Sequence, residues 1–351
     1  MTAVVELVRA MCAAGLPATI AVPAGHGRSL DGVPVVECPG RPVPFGPMLR
    51  LPPREPPDGV LHVHGIATLT PWSAFWPRRW AGPVVASMHG TLDWRLRHPL
   101  RGPKALWHRR LDVPLLHRLD AIHVTRASEA EAIDRVGVPA GRTTEIPWTV
   151  GDEPPLPALT TSSPPYVVAV GRLHPIKGLD RLLEAFAVVA RRHPTARLGI
   201  AGAGPRAEAD RLGEHARRLG IADRLDVTGL LDRAALRRML TDAAALALPS
   251  LYENFGMVVL EALREGCPVV ASRETPWGPL EEARAGLWVD FADPEAAAAA
   301  LLETMVPAAR APTSTAARGL YEARFTPRVV VPRFAAWYAS VVRAFRAGAA
   351  A

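Results

Sequence analysis

Short apolar runs alternate with amphipathic stretches through the second half of the chain. Tyr166–Val170 reads as a strand, and Leu179–Arg192 as a helix with Leu179, Leu182, Leu183, Phe186 and Val189 on one stripe. The pattern repeats as strand Leu198–Ala201, helix Arg206–Leu219, strand Leu225–Thr228, helix Ala234–Thr241 and strand Ala243–Leu248. Pro249-Ser250 ends that last strand, and a helix follows from about Gly256 to Glu265, with Gly266 as its stop. Val269–Ala271 and Leu287–Val289 continue the series. Apolar strands separated by helices predict a parallel sheet covered on both faces, the α/β doubly wound class.

The first half shows a looser version. Val4–Ala14 reads as a helix and Thr19–Val22 as a strand; Val60–Val63 and Val84–Met88 are strands ending in His64-Gly65 and His89-Gly90. Ala121–Thr125 is a further strand, followed by the helix Glu129–Val136. Asp31–Pro57 is rich in proline and reads as a long loop without core content. A doubly wound domain ordinarily opens with a strand and a Gly-rich turn, whereas here the pattern begins with a helix. The favoured reading is a misassigned start, with roughly 20–30 residues upstream; the other is a sheet lacking its first strand. Gly151–Pro165, with five prolines, reads as a linker. The division is therefore residues 1–150, a linker at 151–165, and a second domain at 166–328. The tail helix Val329–Phe345 follows, with Phe334, Trp337, Tyr338 and Val341 on one stripe.

Composition narrows the class. At 351 residues and 49% hydrophobic content, two domains can each bury a core. No apolar run approaches the roughly 18 residues of a membrane span, and no basic segment precedes an apolar one as in a secretory signal. The three cysteines, Cys12, Cys38 and Cys267, lack metal or redox spacing and suit a reduced, cytoplasmic setting. Most of the net charge of +7 falls in residues 1–150, where 17 lysines and arginines face 12 acids. Arg95, Arg97, Arg101, Lys104, Arg109, Arg110 and Arg118 are interleaved with Leu100, Leu106, Trp107, Leu111 and Leu115. One reading is a surface for anionic lipid at the inner membrane face or for a lipid-linked acceptor. The other is a solvated helix whose arginines pair locally with Asp112. Nucleic acid is a poor third reading and is not expected as a partner, because no zinc, helix-turn-helix or aromatic ribonucleoprotein motif accompanies the charge.

Two constellations carry chemistry. In Glu253-Asn254-Phe255-Gly256-Met257-Val258-Val259-Leu260-Glu261, two carboxylates flank the place where a strand-exit loop becomes a helix. The N–H groups of Gly256, Met257 and Val258 there have no helical acceptor and can take an anion. Acids beside an anion site suit a ligand that is both anionic and rich in hydroxyls, such as a nucleotide sugar. The alternative is a helix-start acid and a solvated helix face. In Gly171-Arg172-Leu173-His174-Pro175-Ile176-Lys177-Gly178, an Arg fork and a Lys point charge sit at the same carboxyl edge, a clamp for diphosphate. Cations near a helix start oppose its dipole, so something anionic should offset them.

These motifs, G-R-L-x-x-x-K-G, A-G-x-G-P and E-N-F-G-x-x-x-L-E in this order, resemble the donor-binding domain of family 4 retaining glycosyltransferases with the GT-B fold. The resemblance covers Tyr166–Asp290 strongly, and His62–Pro147 and the tail less so. It implies two Rossmann-like domains facing a cleft, with the tail helix returning to the first. It implies a nucleotide-diphosphate sugar as donor substrate, a hydroxyl acceptor, and neither metal nor resident cofactor. Arg172 and Lys177 would hold the diphosphate, Glu253 the sugar hydroxyls and Glu261 the ribose. Gly171, Gly202 and Gly204 would approach the nucleotide, the amides of Phe255, Gly256 and Met257 its phosphates, and Leu230 its base. The family's His-Gly facing the donor sugar falls best on His89-Gly90, with His64-Gly65 as competitor. Two features depart from the family: the Gly-rich loop is missing with its strand, and Trp148-Thr149 replaces Asn-Gly. The implied activity is sugar transfer in cell-surface polysaccharide or glycolipid assembly. The alternatives are a nucleotide-sugar epimerase and a non-catalytic partner of an active transferase. A nicotinamide dehydrogenase is disfavoured, since no glycine motif here completes the dinucleotide fingerprint.

Overall fold

The structure, a computed structural model, describes residues 2–24, 29–30, 32–41, 48–49, 51, 59–65, 70–75, 80–93, 101–139, 141–157 and 165–349. The chain divides into two compact units, Met1–Gly151 with Pro327–Ala351, and Asp152–Thr326. Arg95, Arg97, Leu100 and most of Asp31–Pro57 lie outside the described residues.

The first unit opens with the helix Thr2–Ala13. Its strands are β1 (Ile20–Pro23), β2 (Ser29–Leu30), β3 (Val33–Cys38), β4 (Gly40–Arg41) and β5 (Met48–Leu49), then β6 (Leu61–His64), β7 (Val84–Ser87), β8 (Ala121–Val124) and β9 (Thr143–Glu145). A parallel sheet runs β6-β7-β8-β9, and a separate mixed sheet runs β1-β3-β2, with β2 antiparallel to β3. Among the described residues no strand joins β1 to β6. The 31–57 segment does hold core, contrary to the loop expected there. β3 pairs in parallel with β1, and Val33 and Cys38 are each only 1% exposed. Pro34 hides the strand in the sequence, but it lies opposite Ser29 in the short β2 pairing, where a missing N–H costs little.

Behind the four-stranded sheet, Val84, Ala86, Ile122 and Val124 pack with Leu115, Leu116 and Ile133. Leu115 and Leu116 belong to a helical run from Gly102 to Arg118, interrupted by a π-turn at His108–Asp112. Arg101, Lys104, Arg109 and Arg110 are exposed on this run, as is Leu106. Arg118, also exposed, lies 5.0 Å over the Trp72 ring. Asp112 is fully buried, and its carboxylate accepts from Trp107 Nε1 at 3.0 Å and meets His108 Nδ1 at 3.3 Å. The tail helix Pro327–Ala349 belongs to this unit, with Phe334 buried against His123 and Trp148.

The second unit is one six-stranded parallel sheet. It comprises β10 (Tyr166–Val170), β11 (Arg197–Ala201), β12 (Leu225–Gly229), β13 (Ala245–Leu248), β14 (Val269–Ser272) and β15 (Gly286–Val289), ordered β12-β11-β10-β13-β14-β15. Alternate strand residues serve two faces. Val167, Ala169, Leu198, Ile200, Ala245 and Ala247 join one core with Leu182, Leu183 and Phe186 of the helix Leu179–Arg192. Val168, Leu246 and Val269 are buried but fall outside that cluster, and the helix Met257–Arg264 packs on β13 and β14. Each fully buried Leu or Phe contributes about 1.5–3 kcal/mol. The Pro-rich segment 152–157 is strapped to this unit. Arg237 donates to Pro154 O at 2.6 Å and to Glu265 at 2.7 Å, while Arg264 bonds both Glu265 and Glu153 at 2.8 Å.

Candidate functional site

Strand order in the second unit decides where a ligand can sit. From β10 the chain builds outward through β11 and β12 on one side, while β13, β14 and β15 lie on the other. Connections therefore diverge between β10 and β13, and open α/β sheets bind ligands at the carboxyl ends of strands at such a point. Two loops leave it, 171–178 after β10 and 249–256 after β13.

Those loops are locked together through their backbones. Leu251 N–H donates to Ile176 O at 2.9 Å. Gly178, at φ +63°, lies so close to the neighbouring loop that a Cβ there would stand 2.1 Å from Pro249 O. Only glycine satisfies both the space and the dihedral. This approach carries Lys177 onto Glu253, whose Oε1 accepts from Lys177 Nζ and from Ser250 Oγ at 3.0 Å. The lysine stem runs over Gly171, where a Cβ would sit 3.4 Å from Lys177 Cε. Arg172 differs. It is exposed, and among the described residues no hydrogen bond or ion pair holds it.

The glycines of the next loop serve loop packing. A Cβ on Gly202 would meet Gly171 O at 1.8 Å, and one on Gly204 would meet the Leu173 Cβ at 2.4 Å. Gly171 N–H donates to Ala201 O and Leu173 N–H to Ala203 O, both at 2.9 Å, and Gly202 N–H to Gly229 O at 2.7 Å. Leu230, next to Gly229, is 82% exposed, unusual for a large apolar side chain. At the helix start, Gly256 takes φ +83° and Trp277 Nε1 donates to Phe255 O at 2.5 Å. In a trans peptide the C=O and the following N–H point oppositely, so this anchor aims the Gly256 N–H away from Trp277. The amides of Met257 and Val258 follow at the uncapped first turn. Glu261 lies one turn further along, half-buried.

In the first unit, parallel register collects four histidines on neighbouring strands. β6 supplies His62 and His64, β8 supplies His123, and His89 follows β7. His123 Nε2 lies 2.7 Å from Ile146 O, and a carbonyl can only accept, so the proton sits on Nε2. His123 Nδ1 must then accept from Ser87 Oγ at 2.7 Å. Ser87 Oγ in turn accepts from His62 Nε2 at 2.8 Å, and His62 Nδ1 accepts from Tyr338 O–H at 2.7 Å. One carbonyl thus sets the direction of the whole chain, with both imidazoles neutral. Burial lowers all four histidines below their usual range, His89 to about 4 and His123 to about 3. For His62 and His64 the neighbouring imidazoles add to that effect. Among the described residues no group of three or more His, Cys, Asp or Glu is placed to hold a metal.

His89 is held on three sides. Its Nε2 lies 3.0 Å from His64 Nδ1, and its ring stacks on buried Trp148 at 5.2 Å and 6°. Its backbone sits at φ +50° and that of Gly90 at φ +74°, with Gly90 N–H donating to Glu129 Oε1 at 2.6 Å. Left-handed φ at a non-glycine residue is uncommon and marks a position fixed by its surroundings. His64 and His89 are therefore direct partners rather than rivals. Ser250, Trp277, Glu129, Ser87 and Tyr338 were given no site role by the sequence pattern, which read Ser250 as a strand stop, Glu129 as a helix start and Tyr338 as part of the tail-helix stripe. They carry no motif, and each enters through strand order or a long-range loop contact.

Comparison with known proteins agrees with this architecture. The family described as Glycosyl transferases group 1 matches residues 158–306, and the Glycosyl transferase 4-like domain matches residues 2–149. A D-inositol 3-phosphate glycosyltransferase of Nocardiopsis dassonvillei is 30% identical over 275 residues, 72% of this chain and 63% of that protein. A protein of the same description from Segniliparus rotundus is 38% identical over 109 residues, 30% of this chain and 24% of its own length. The matched region thus spans less than two thirds of each of these relatives. Among solved structures, Anabaena Alr3699/HepE in complex with UDP and glucose superposes with a TM-score of 0.76 at 18% identity, covering 97% of this chain and 96% of that one. Sucrose-phosphate synthase from Thermosynechococcus elongatus gives 0.73 at 22% identity, covering 97% and 93%.

Proposed function

The chain belongs to the group 1 glycosyl transferases, and from that premise we propose that it moves a sugar from a nucleoside-diphosphate sugar to a hydroxyl acceptor with retained anomeric configuration. The observation that carries this reading is the Lys177–Glu253 pair at the divergence of the sheet, with exposed Arg172 beside it. A diphosphate leaves with negative charge, and fixed cations stabilise that charge without reorganising. Arg172 supplies an open fork for phosphate. Lys177, held against Glu253, keeps one charge in a fixed place. Glu253 accepts from sugar hydroxyls, Glu261 from the ribose, and the amides of Phe255, Gly256 and Met257 donate to the phosphates. Gly171, Gly202 and Gly204 hold the loops close, and Leu230 contributes to the base pocket. His89 contacts the donor sugar. The departing phosphate assists deprotonation of the acceptor on the same face of the sugar.

Two finer points belong to the same proposal. The solved relative carrying UDP favours a uridine donor. The exposed cations Arg101, Lys104, Arg109 and Arg110, with Leu106 among them, favour an acceptor linked to lipid at the cytoplasmic membrane face, within cell-surface polysaccharide or glycolipid assembly. No helix among the described residues is long and apolar enough to cross a membrane.

The experiment is a thermal-shift screen of nucleotide sugars followed by turnover with the best binder. A ligand that binds only the folded state raises Tm, by about 2.7 kcal/mol of stabilisation at one hundred times Kd. Release of nucleoside diphosphate together with a product of the donor's anomeric configuration upholds the reading. Inverted configuration, or binding without any transfer across an acceptor panel, contradicts it. Interconversion of the donor sugar without transfer would instead identify an epimerase.

A further inference from the structure

His64 carries no role in the function as proposed, yet it occupies the joint between two rigid parts of the first unit. On one side its ring stacks on His62 at 4.3 Å and 24°. Both nitrogens of His62 are engaged in the directed chain from Tyr338 to Ile146, so that ring can neither flip nor change tautomer without breaking bonds. On the other side, His64 Nδ1 bonds His89 Nε2 at 3.0 Å. Trp148 fixes the plane of the His89 ring, and Glu129 fixes the backbone beneath it. What the stack and the backbone leave open is a half-turn of the His89 ring about Cβ–Cγ, which restores the same plane, and the choice of its tautomer.

We propose that His64 is a positioning residue for His89: its Nδ1 selects one His89 tautomer and holds the imidazole at one angle, leaving Nδ1 of His89 as the nitrogen available to a ligand. The inference rests on the reading that His89 contacts the donor sugar, but its physical content, one tautomer at one angle, stands independently. A neutral imidazole presents one donor and one acceptor, so fixing the occupant of Nε2 fixes what Nδ1 offers to a hydroxyl. Bond lengths make the requirement specific. Nδ1 is bonded directly to Cγ, so an asparagine at position 64 places its terminal amide where Nδ1 now is. A glutamine reaches one bond further, to where Nε2 is.

The test uses the full-length protein and three variants, His64→Leu, His64→Asn and His64→Gln. Each is checked by thermal melting, and then two quantities are read. The first is the pair of His89 imidazole nitrogen shifts in long-range proton–nitrogen NMR, which separates the tautomers. The second is turnover with UDP-glucose as probe donor, with kcat and KM taken separately. In the native protein His89 shows one tautomer. In His64→Leu and His64→Gln its nitrogen shifts move toward the average of two exchanging tautomers, and kcat falls by on the order of ten- to a hundredfold with little change in KM. His64→Asn restores both. Unchanged His89 shifts in His64→Leu overturn the inference, as does rescue by Gln equal to that by Asn, which is the signature of simple packing. Shifts that respond as expected while turnover ignores both His64→Leu and His89→Ala uphold the positioning and overturn the role of His89 in the reaction.

Discussion

The two units build their polar centres from opposite materials. In the second, a cation and a carboxylate are brought together by two loops, with an open arginine beside them. In the first, imidazoles, a serine and a tyrosine form a directed chain with no net charge. The difference follows from burial and from the partners at hand. Glu253 accepts from both Lys177 and Ser250, so the ion pair is satisfied at the carboxyl edge of the sheet. The four histidines have mainly one another, carbonyl oxygen and aromatic rings, so burial keeps them neutral. A charged site attracts and stabilises charge, whereas a neutral site discriminates by the geometry of donors and acceptors. The first suits phosphate, and the second suits hydroxyls.

The sharpest break of this contrast is Lys177→Ala. It removes the fixed cation and leaves Glu253 without it, so two effects combine. Turnover falls by on the order of a hundred- to a thousandfold, the usual loss for one preorganised transition-state stabiliser. Tm falls as well, because a little-exposed carboxylate loses its partner. Steady-state kinetics beside thermal melting separates the two. Turnover within a few-fold of the native value would remove Lys177 from the chemistry.

Arg172→Ala sharpens the same point more cleanly. Arg172 is exposed and unpaired among the described residues, so stability should change by less than about 0.5 kcal/mol while turnover drops tens-fold or more. A large fall in Tm would mean that Arg172 supports the fold rather than a ligand.

Acid should separate the units without any mutation. Unfolded histidines titrate near 6.5, whereas His89 and His123 in the folded chain are lowered to about 4 and about 3, with His62 and His64 also well below the usual value. Between pH 6.5 and 4 the unfolded chain therefore binds more protons, and stability is lost as pH falls. Each such histidine contributes up to about 1.4 kcal/mol per pH unit. Buried Glu129 opposes this, since burial raises its carboxyl, and partial desolvation raises that of the more exposed Asp120. In the second unit, burial alone would raise Glu265, but the Arg237 hydrogen bond and the Arg264 charge outweigh it and hold it below the usual range. Its contribution persists until pH falls below the ordinary carboxylate range. Hydrogen exchange at pH 7 and pH 5 should show protection lost in the first unit before the second, and the reverse order would refute the neutral-centre account.

The smallest effect concerns the basic helical run. Replacing Lys104, Arg109 and Arg110 with glutamine should weaken sedimentation with phosphatidylglycerol vesicles, at about 1 kcal/mol per cation at low salt, and leave neutral vesicles unaffected. Equal binding by the variant would place the membrane contact elsewhere or nowhere.

Much of the second unit was legible because its strands are short apolar runs between helices, and β10 and the helix Leu179–Arg192 fall where the pattern puts them. β3 was not, because Pro34 reads as loop unless its edge pairing is known. The candidate site divided similarly. Motif spacing singled out Arg172, Lys177 and Glu253 as candidates, and the family resemblance added His89. Spacing could not tell that Lys177 and Glu253, 76 positions apart, would touch, since that depends on β10 and β13 being neighbours. Nor could it tell that His64 and His89 are partners, which needs the parallel register of β6 on β7.

On this reading the charged unit reads phosphate and the histidines do not. Calorimetric titration of UDP, which lacks the sugar, into the native protein, Arg172→Ala and His89→Ala tests it directly. Binding should be at least about tenfold weaker for Arg172→Ala, or about 1.4 kcal/mol, and within about twofold of native for His89→Ala. Undiminished UDP binding by Arg172→Ala, or an equal loss in His89→Ala, would contradict it.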